Sequence, residues 1–284
     1  MVARSTSTDR RLCVAVDMQG YGRRAGRQHT DIQQDLVSLI ADAASRVGLD
    51  HDTWDTQRSG DGELSVLPTG QREELLVDDF VRELNTGLRR VNEGRKADWC
   101  IRLRLAIHHG PAWRAANGFA GSAPVTVGRL LDSDQLRQAL HASDETFLAV
   151  MLSRQVYEDT VVAAHTSLEP TDFVPVRVRA KESDHVGWVR VPGLAPSALK
   201  RAFGKKAAAA EGRKDAAAAD GRDRPRQAAT ADSEGRVQQA GRDLTGARYG
   251  GGEGPTYVNH TTFEEGVTVD RGVIGFNFGG ERNG

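Results

Sequence analysis

The chain has 284 residues, with 38 Lys and Arg against 39 Asp and Glu, for a net charge of −1 at pH 7. That balance excludes a global attraction to nucleic acid or to an anionic membrane, so any anion site must be local. Hydrophobic residues at 38% and aromatics at 6% support one modest core rather than two generous ones.

Cys13 and Cys100 fall in apolar, strand-like runs without CxxC spacing, which predicts reduced core thiols in a reducing compartment. The opening MVARSTSTDRR lacks the apolar stretch of a signal peptide, and no apolar run approaches the roughly 20 residues of a membrane span. The expected localisation is cytoplasmic.

The first predicted strand, Leu12 to Val16 in "CVAVDMQGYGRR", ends on a carboxylate, Asp17, followed by a turn in which Gly20 and Gly22 loosen the backbone. Thr30 and Asp31 then open an amphipathic helix through Ile32, Leu36, Leu39, Ile40 and Ala43 that Gly48 stops. His51 to Gln57 and Glu63 to Leu67 flank Ser59-Gly60-Asp61-Gly62, an Asp-Gly hairpin signal that puts a second carboxylate, Asp61, at a strand tip. Gln71 to Asn92 repeats the helical pattern, and "WCIRLRLAIHHG" alternates as a strand.

Gly121 and Ser122 lead into a helix carrying Val127, Leu130, Leu131, Leu136 and Leu140. "TFLAVML" reads as a buried strand, Ser153 caps a short helix to Thr160, and "FVPVRVRAK" and "HVGWVRV" close the domain as two strands. The order βαββαβ, with additions, predicts an α+β, ferredoxin-like domain with a mixed, mostly antiparallel sheet and helices on one face. His108 and His109 end a strand, but adjacent side chains there point to opposite faces and do not easily serve one site.

The domain spans 10–193. Residues 194–255 are rich in Ala, Gly, Arg and Asp and read as a disordered linker without core-forming capacity. Residues 256–280 regain alternating β-branched and aromatic residues among glycines, which predicts a short interaction motif that pairs by β-strand addition with a protein partner.

Asp17 and Asp61 carry the oxygen chemistry that Mg²⁺ or Mn²⁺ prefers. Taken together, "VDMQGYG", then "SGDGELSV" roughly forty residues on, then "IRLRLAIHHGPA" and "GRLLDS", resemble the catalytic domain of class III nucleotidyl cyclases in order and spacing. The resemblance implies that Asp17, the Met18 carbonyl and Asp61 bind two metal ions. It also implies a homodimer in which the partner's copy of Arg129 stabilises the transition state, and that Lys181 binds phosphate and Tyr21 packs beneath the nucleotide.

The chain departs from the family at three positions. The transition-state Asn is Val125, and the two adenine-reading positions hold Gln57 and Gly118. With that pattern the chain is similar to the bacterial Pycsar cyclases, which make cyclic UMP or cyclic CMP in anti-phage defence. The implied reaction converts a pyrimidine nucleoside triphosphate, UTP favoured, to its 3′,5′-cyclic form and pyrophosphate. An amide at Gln57 suits uracil or cytosine equally, because it presents both a donor and an acceptor. The alternatives are a degenerate nucleotide-binding sensor and a cyclase of other base specificity, CTP or ATP.

Overall fold

The computed structural model describes residues 9–23, 27–179 and 184–204. In chain order the main elements are β1 (Arg10–Met18), α1 (Arg27–Arg46), β2 (Asp55–Ser59), β3 (Gly62–Val66), α2 (Glu73–Leu75) and α3 (Val81–Asn92). They continue with β4 (Leu103–Pro111), β5 (Trp113–Ala115), β6 (Gly118–Ala120), α4 (Ser122–Leu131), α5 (Asp134–Leu140), β7 (Leu148–Ser153), α6 (Arg154–Tyr157), β8 (Val174–Arg179) and β9 (Asp184–Arg190).

Seven strands form one sheet in the order β2-β3-β1-β4-β7-β9-β8, antiparallel throughout except for the parallel β4–β7 pair. The α+β class and the mostly antiparallel sheet are those the sequence predicts. The placement of the helices differs, because they cover both faces of the sheet rather than one. Leu12, Val14, Val16 and Met18 of β1 pack with Ile32, Leu36 and Ile40 of α1 and Leu84 and Leu88 of α3. Cys13 and Ala15, on the opposite face, pack with Val127, Leu130 and Leu131 of α4 and Leu136 of α5.

The parallel pair gives the physical reason. Antiparallel neighbours need only a turn, whereas β4 and β7 need a crossover that returns over one face, and α4 and α5 are that crossover. Strands buried on both sides then read as continuous apolar runs, and β3 and β7 are buried at every position.

Several elements depart locally from expectation. The helical run predicted over 71–92 widens through a π turn at Leu76–Phe80 between α2 and α3. His51–Thr53 is a 3₁₀ turn rather than strand, with the Asp50 carboxylate accepting from the Asp52 amide at 3.2 Å. The helix after Gly121 divides where the Ser133 hydroxyl accepts the Leu136 amide and opens α5. A small β5–β6 hairpin was not anticipated, although Asn117-Gly118 is its turn signal and Gly118 adopts φ +92°.

Residues 196–204 form a helix inside the stretch assigned to the linker, and Leu199 is fully buried against the α4 face with Leu194 and Phe203 beside it. Lys181 and the remainder of the predicted linker and tail, 205–284, lie outside the described residues. If this helix belongs to the core, Leu199→Ala should cost about 2 to 5 kcal/mol in urea unfolding. An unchanged midpoint would show that the helix adds nothing to the fold.

Candidate functional site

Asp17 is the last inward-facing residue of β1 on the α4 face. It pairs in register with Gly62 of β3 on one side and Arg104 of β4 on the other. The next residue, Met18, donates its amide to the Asp61 carbonyl at 2.8 Å, which draws the β2–β3 turn against the end of β1. Glycine is required at 62, since a Cβ there would press on the Val16 carbonyl oxygen. The two strand-tip acids are thereby brought together, as the sequence predicts. The Met18 side chain is buried in the α1-side core, which leaves its carbonyl as the only group of Met18 suited to ligation.

The electrostatics are those of crowded carboxylates. Burial pushes the Asp17 carboxyl up to about 6 against the downward pull of Arg104, and Asp61 and Asp132 add to the rise. Asp61 is raised as well, first by burial and further by Asp132, with its own backbone hydrogen bond and Arg104 opposing. Two carboxylates and neighbouring backbone carbonyls form an all-oxygen donor set that fits Mg²⁺ or Mn²⁺, ions that retain waters or phosphate oxygens as their other ligands. Among the described residues no cluster of three or more His, Cys, Asp or Glu side chains is placed to hold a metal.

Arg104, which sequence reasoning missed, is the cation at the centre of this group. Its Nε donates to Asp17 Oδ2 at 3.1 Å, its Nη2 donates to the same oxygen, and its Nη1 donates to the Leu131 carbonyl at 3.2 Å. Arg104 is itself buried. It fastens the β1 carboxylate to the last turn of α4, where a cation also complements the exposed carbonyls. Asp132, immediately after α4, completes the acidic group.

Tyr21 braces the hairpin tip. Its hydroxyl accepts a hydrogen bond from Gln33 Nε2 at 2.7 Å, the same Gln33 nitrogen donates to the Gly60 carbonyl at 2.8 Å, and the Tyr21 ring lies against Gly60. Its phenol is raised by burial and by Asp61. Gln33, in the second turn of α1, is a second positioning residue the sequence reading did not single out.

Gln57 and Gly118 meet. A side chain on Gly118 would run into Gln57 Oε1, and that oxygen is buried without a hydrogen-bond partner. Gln57 pairs in register with Leu64, which packs on the α4 face that Asp17 shares.

Arg129 lies in the last turn of α4. It lines a cleft of about 1010 Å³ together with Asp132, Arg177, Arg179, Lys200 and Phe203, and after burial its charge is the next cause that lowers the pKa of His185 on β9. Arg104 is the cation that bonds Asp17 and acts on Asp61.

Other titratable groups play structural parts. Glu63 accepts from His51 at 2.7 Å, Ser65 at 2.8 Å and Arg58 at 3.1 Å, and despite burial these partners hold its carboxyl below the usual range. His109 Nδ1 meets Glu73 at 2.6 Å, while His108 faces the other side of the sheet, as expected. Cys13 is fully buried and its thiol is pushed up to about 12, which makes it inert. Cys100 is half-buried beside the 3₁₀ turn at Ala97–Trp99 rather than within a strand. Among the described residues no helix is long and apolar enough to cross a membrane.

No protein-family model and no curated protein sequence matches the chain. Among solved structures, the guanylyl cyclase Cya2 matches with a TM-score of 0.46 and 14% identity, over 66% of this chain and 94% of that one. An adenylate/guanylate cyclase/hydrolase from Silicibacter pomeroyi matches with a TM-score of 0.46 and 19% identity, over 65% of this chain and 98% of that one. The guanylate cyclase domain of RhGC from Catenaria anguillulae, in complex with GTP, matches with a TM-score of 0.41 and 13% identity, over 65% and 96%.

His108 yields a pH prediction. Burial, with His109, Arg10 and His185 nearby, lowers its imidazole from 6.5 to about 4, and its Nδ1 is buried without a hydrogen-bond partner. As pH falls through that window the unfolded chain takes up a proton that the folded chain refuses, so stability is lost. His108→Gln should therefore lose less stability than the native chain between about pH 7.5 and about pH 4.5, by about 2 kcal/mol in urea titrations. Equal losses would contradict the assignment.

Proposed function

We propose that the protein is a metal-dependent nucleotidyl cyclase that converts a pyrimidine nucleoside triphosphate, UTP favoured, into its 3′,5′-cyclic nucleotide and pyrophosphate. The observation that carries this reading is the convergence of Asp17 and Asp61 at adjacent strand tips, both crowded above the ordinary carboxylate range. Asp17, Asp61 and the Met18 carbonyl would hold two Mg²⁺ or Mn²⁺ ions. The chemistry such ions supply is a lowered pKa at the ribose 3′-hydroxyl and neutralisation of the triphosphate.

In this proposal the protein's own groups orient and neutralise. Arg129 acts across a homodimer on a partner's nucleotide, its guanidinium matching charge that develops on the α-phosphate oxygens. That role agrees with its place on α4, lining the cleft. Lys181 is assigned to the triphosphate as a point charge. Tyr21 holds the turn that carries Asp61 and borders the nucleotide.

Gln57 supplies base selection. Its amide carries both an acceptor and a donor that would suit the edge of uracil or cytosine, and its side chain fills the space a residue larger than Gly118 would occupy. Synthesis of a cyclic pyrimidine messenger in anti-phage defence, within the cytoplasm, is the biological setting that this chemistry suits.

The test is incubation with each of the four nucleoside triphosphates and Mn²⁺, followed by mass spectrometry of the products. Cyclic UMP or cyclic CMP with pyrophosphate is expected, and Asp17→Ala or Asp61→Ala should lower turnover by about 100-fold or more. Gln57→Ala should narrow the preference between bases by about 10-fold in kcat/KM. Tight nucleotide binding without pyrophosphate would instead support a sensor, a reading favoured by Val125 standing where the family has Asn. Cyclic AMP as sole product would overturn the pyrimidine assignment.

A further inference from the structure

Arg104 and Asp132 are part of neither the sequence-level site nor the proposed chemistry, yet they hold its most buried acid. Asp17 is 3% exposed and Arg104 9% exposed, so little water screens the charge between them. Two of the guanidinium nitrogens donate to one oxygen of Asp17, and a third is anchored on the Leu131 carbonyl at the end of α4. The acid that should receive a divalent cation thus already holds a monovalent one, fixed in place by the helix.

Asp132 follows one residue after Leu131; burial raises its carboxyl, as it does that of Asp17, and Arg104 pulls against the rise at both. Its side chain is 45% exposed and meets Arg137 at 3.3 Å, so it has room to take another cationic partner.

Resting on the metal reading above, we propose that Arg104 is a resident counter-cation that competes with the divalent ion for Asp17, with Asp132 as the acceptor to which the guanidinium moves when the metal enters. The exchange keeps charge balanced in a water-poor site. Asp17 is never left bare before the ion arrives, and Arg104 is not stranded afterwards, either of which would be costly in a buried pair. Because Nη1 is tied to Leu131, the same movement bears on the end of α4 that carries Arg129, so metal entry and the setting of that helix are linked. Arg104 is a positioning residue in this scheme, acting through Asp17.

The experiment measures Mn²⁺ binding to the full chain by electron paramagnetic resonance of the free ion, without nucleotide and without turnover. Arg104→Gln, which keeps donors for Asp17 and Leu131 but removes the charge, should bind Mn²⁺ about 10-fold more tightly than the native chain. Asp132→Asn should bind it several-fold more weakly, whereas Asp134→Asn, a control on the neighbouring exposed acid, should change little. Circular dichroism checks that each variant is folded, and Arg104→Lys, which retains charge without the fork, should stay within about 3-fold of native.

Unchanged or weaker Mn²⁺ binding by a folded Arg104→Gln would overturn the competition. Native affinity in Asp132→Asn would overturn the exchange partner. The metal reading itself fails separately: if Asp17→Ala binds Mn²⁺ as well as both native and Arg104→Gln proteins do, the ion is not at Asp17 and both proposals fall. If it binds more weakly than either, the metal site stands and the variants at Arg104 and Asp132 decide.

Discussion

A slip of one residue between β1 and β3 would carry Asp17 from the α4 face of the sheet to the α1 face, because strand side chains alternate with a period of two. The register that pairs Asp17 with Gly62 and Arg104 is thus the constraint on which the candidate site depends. It is secured on both sides of the sheet. Leu12, Val14, Val16 and Met18 fit only the α1–α3 face, and the small Cys13 and Ala15 fit beneath α4. The Met18–Asp61 backbone hydrogen bond then seats the hairpin tip, and Tyr21 and Gln33 hold it from the flank.

That arrangement stores electrostatic tension where chemistry is expected. Burial and like charge act against ionisation of Asp17 and Asp61, and Arg104 offsets only part of this. Elsewhere the same domain handles a buried acid differently. Glu63, two residues after Asp61, has His51, Ser65 and Arg58 as partners and is held in the charged form. The contrast separates an acid satisfied for stability from two acids left poised, and tension of the second kind concentrates at functional sites.

The strand-tip acids were legible because two local signals agreed, an apolar run ending on a carboxylate and an Asp-Gly turn between strand-like segments. Arg104 was not legible, since an arginine in an alternating strand reads as solvent-facing unless α4 is known to cover that side of β4. The same gap explains the helices. Nothing local in "VTVGRLLDSDQLRQAL" says that it crosses over from β4 to a parallel β7, and only that pairing sends it to the face opposite α1. Gln57 and Gly118 were picked out by family position, but their contact depends on the β5–β6 hairpin, which three-residue strands barely announce. The helix at 196–204 was hidden by its alanine-rich surroundings, with Leu199 and Phe203 as its few core anchors.

The central claim is that Asp17 on one subunit and Arg129 on another make one catalytic site. Complementation tests it directly: Asp17→Ala and Arg129→Ala proteins, each inactive alone, are mixed and allowed to exchange subunits before cyclic nucleotide production is measured. In a mixed dimer one of the two sites carries neither substitution, so activity should return to about a quarter of the native level at equal mixing. No recovery, with subunit exchange verified by native mass spectrometry, would contradict a site shared between two copies of the chain.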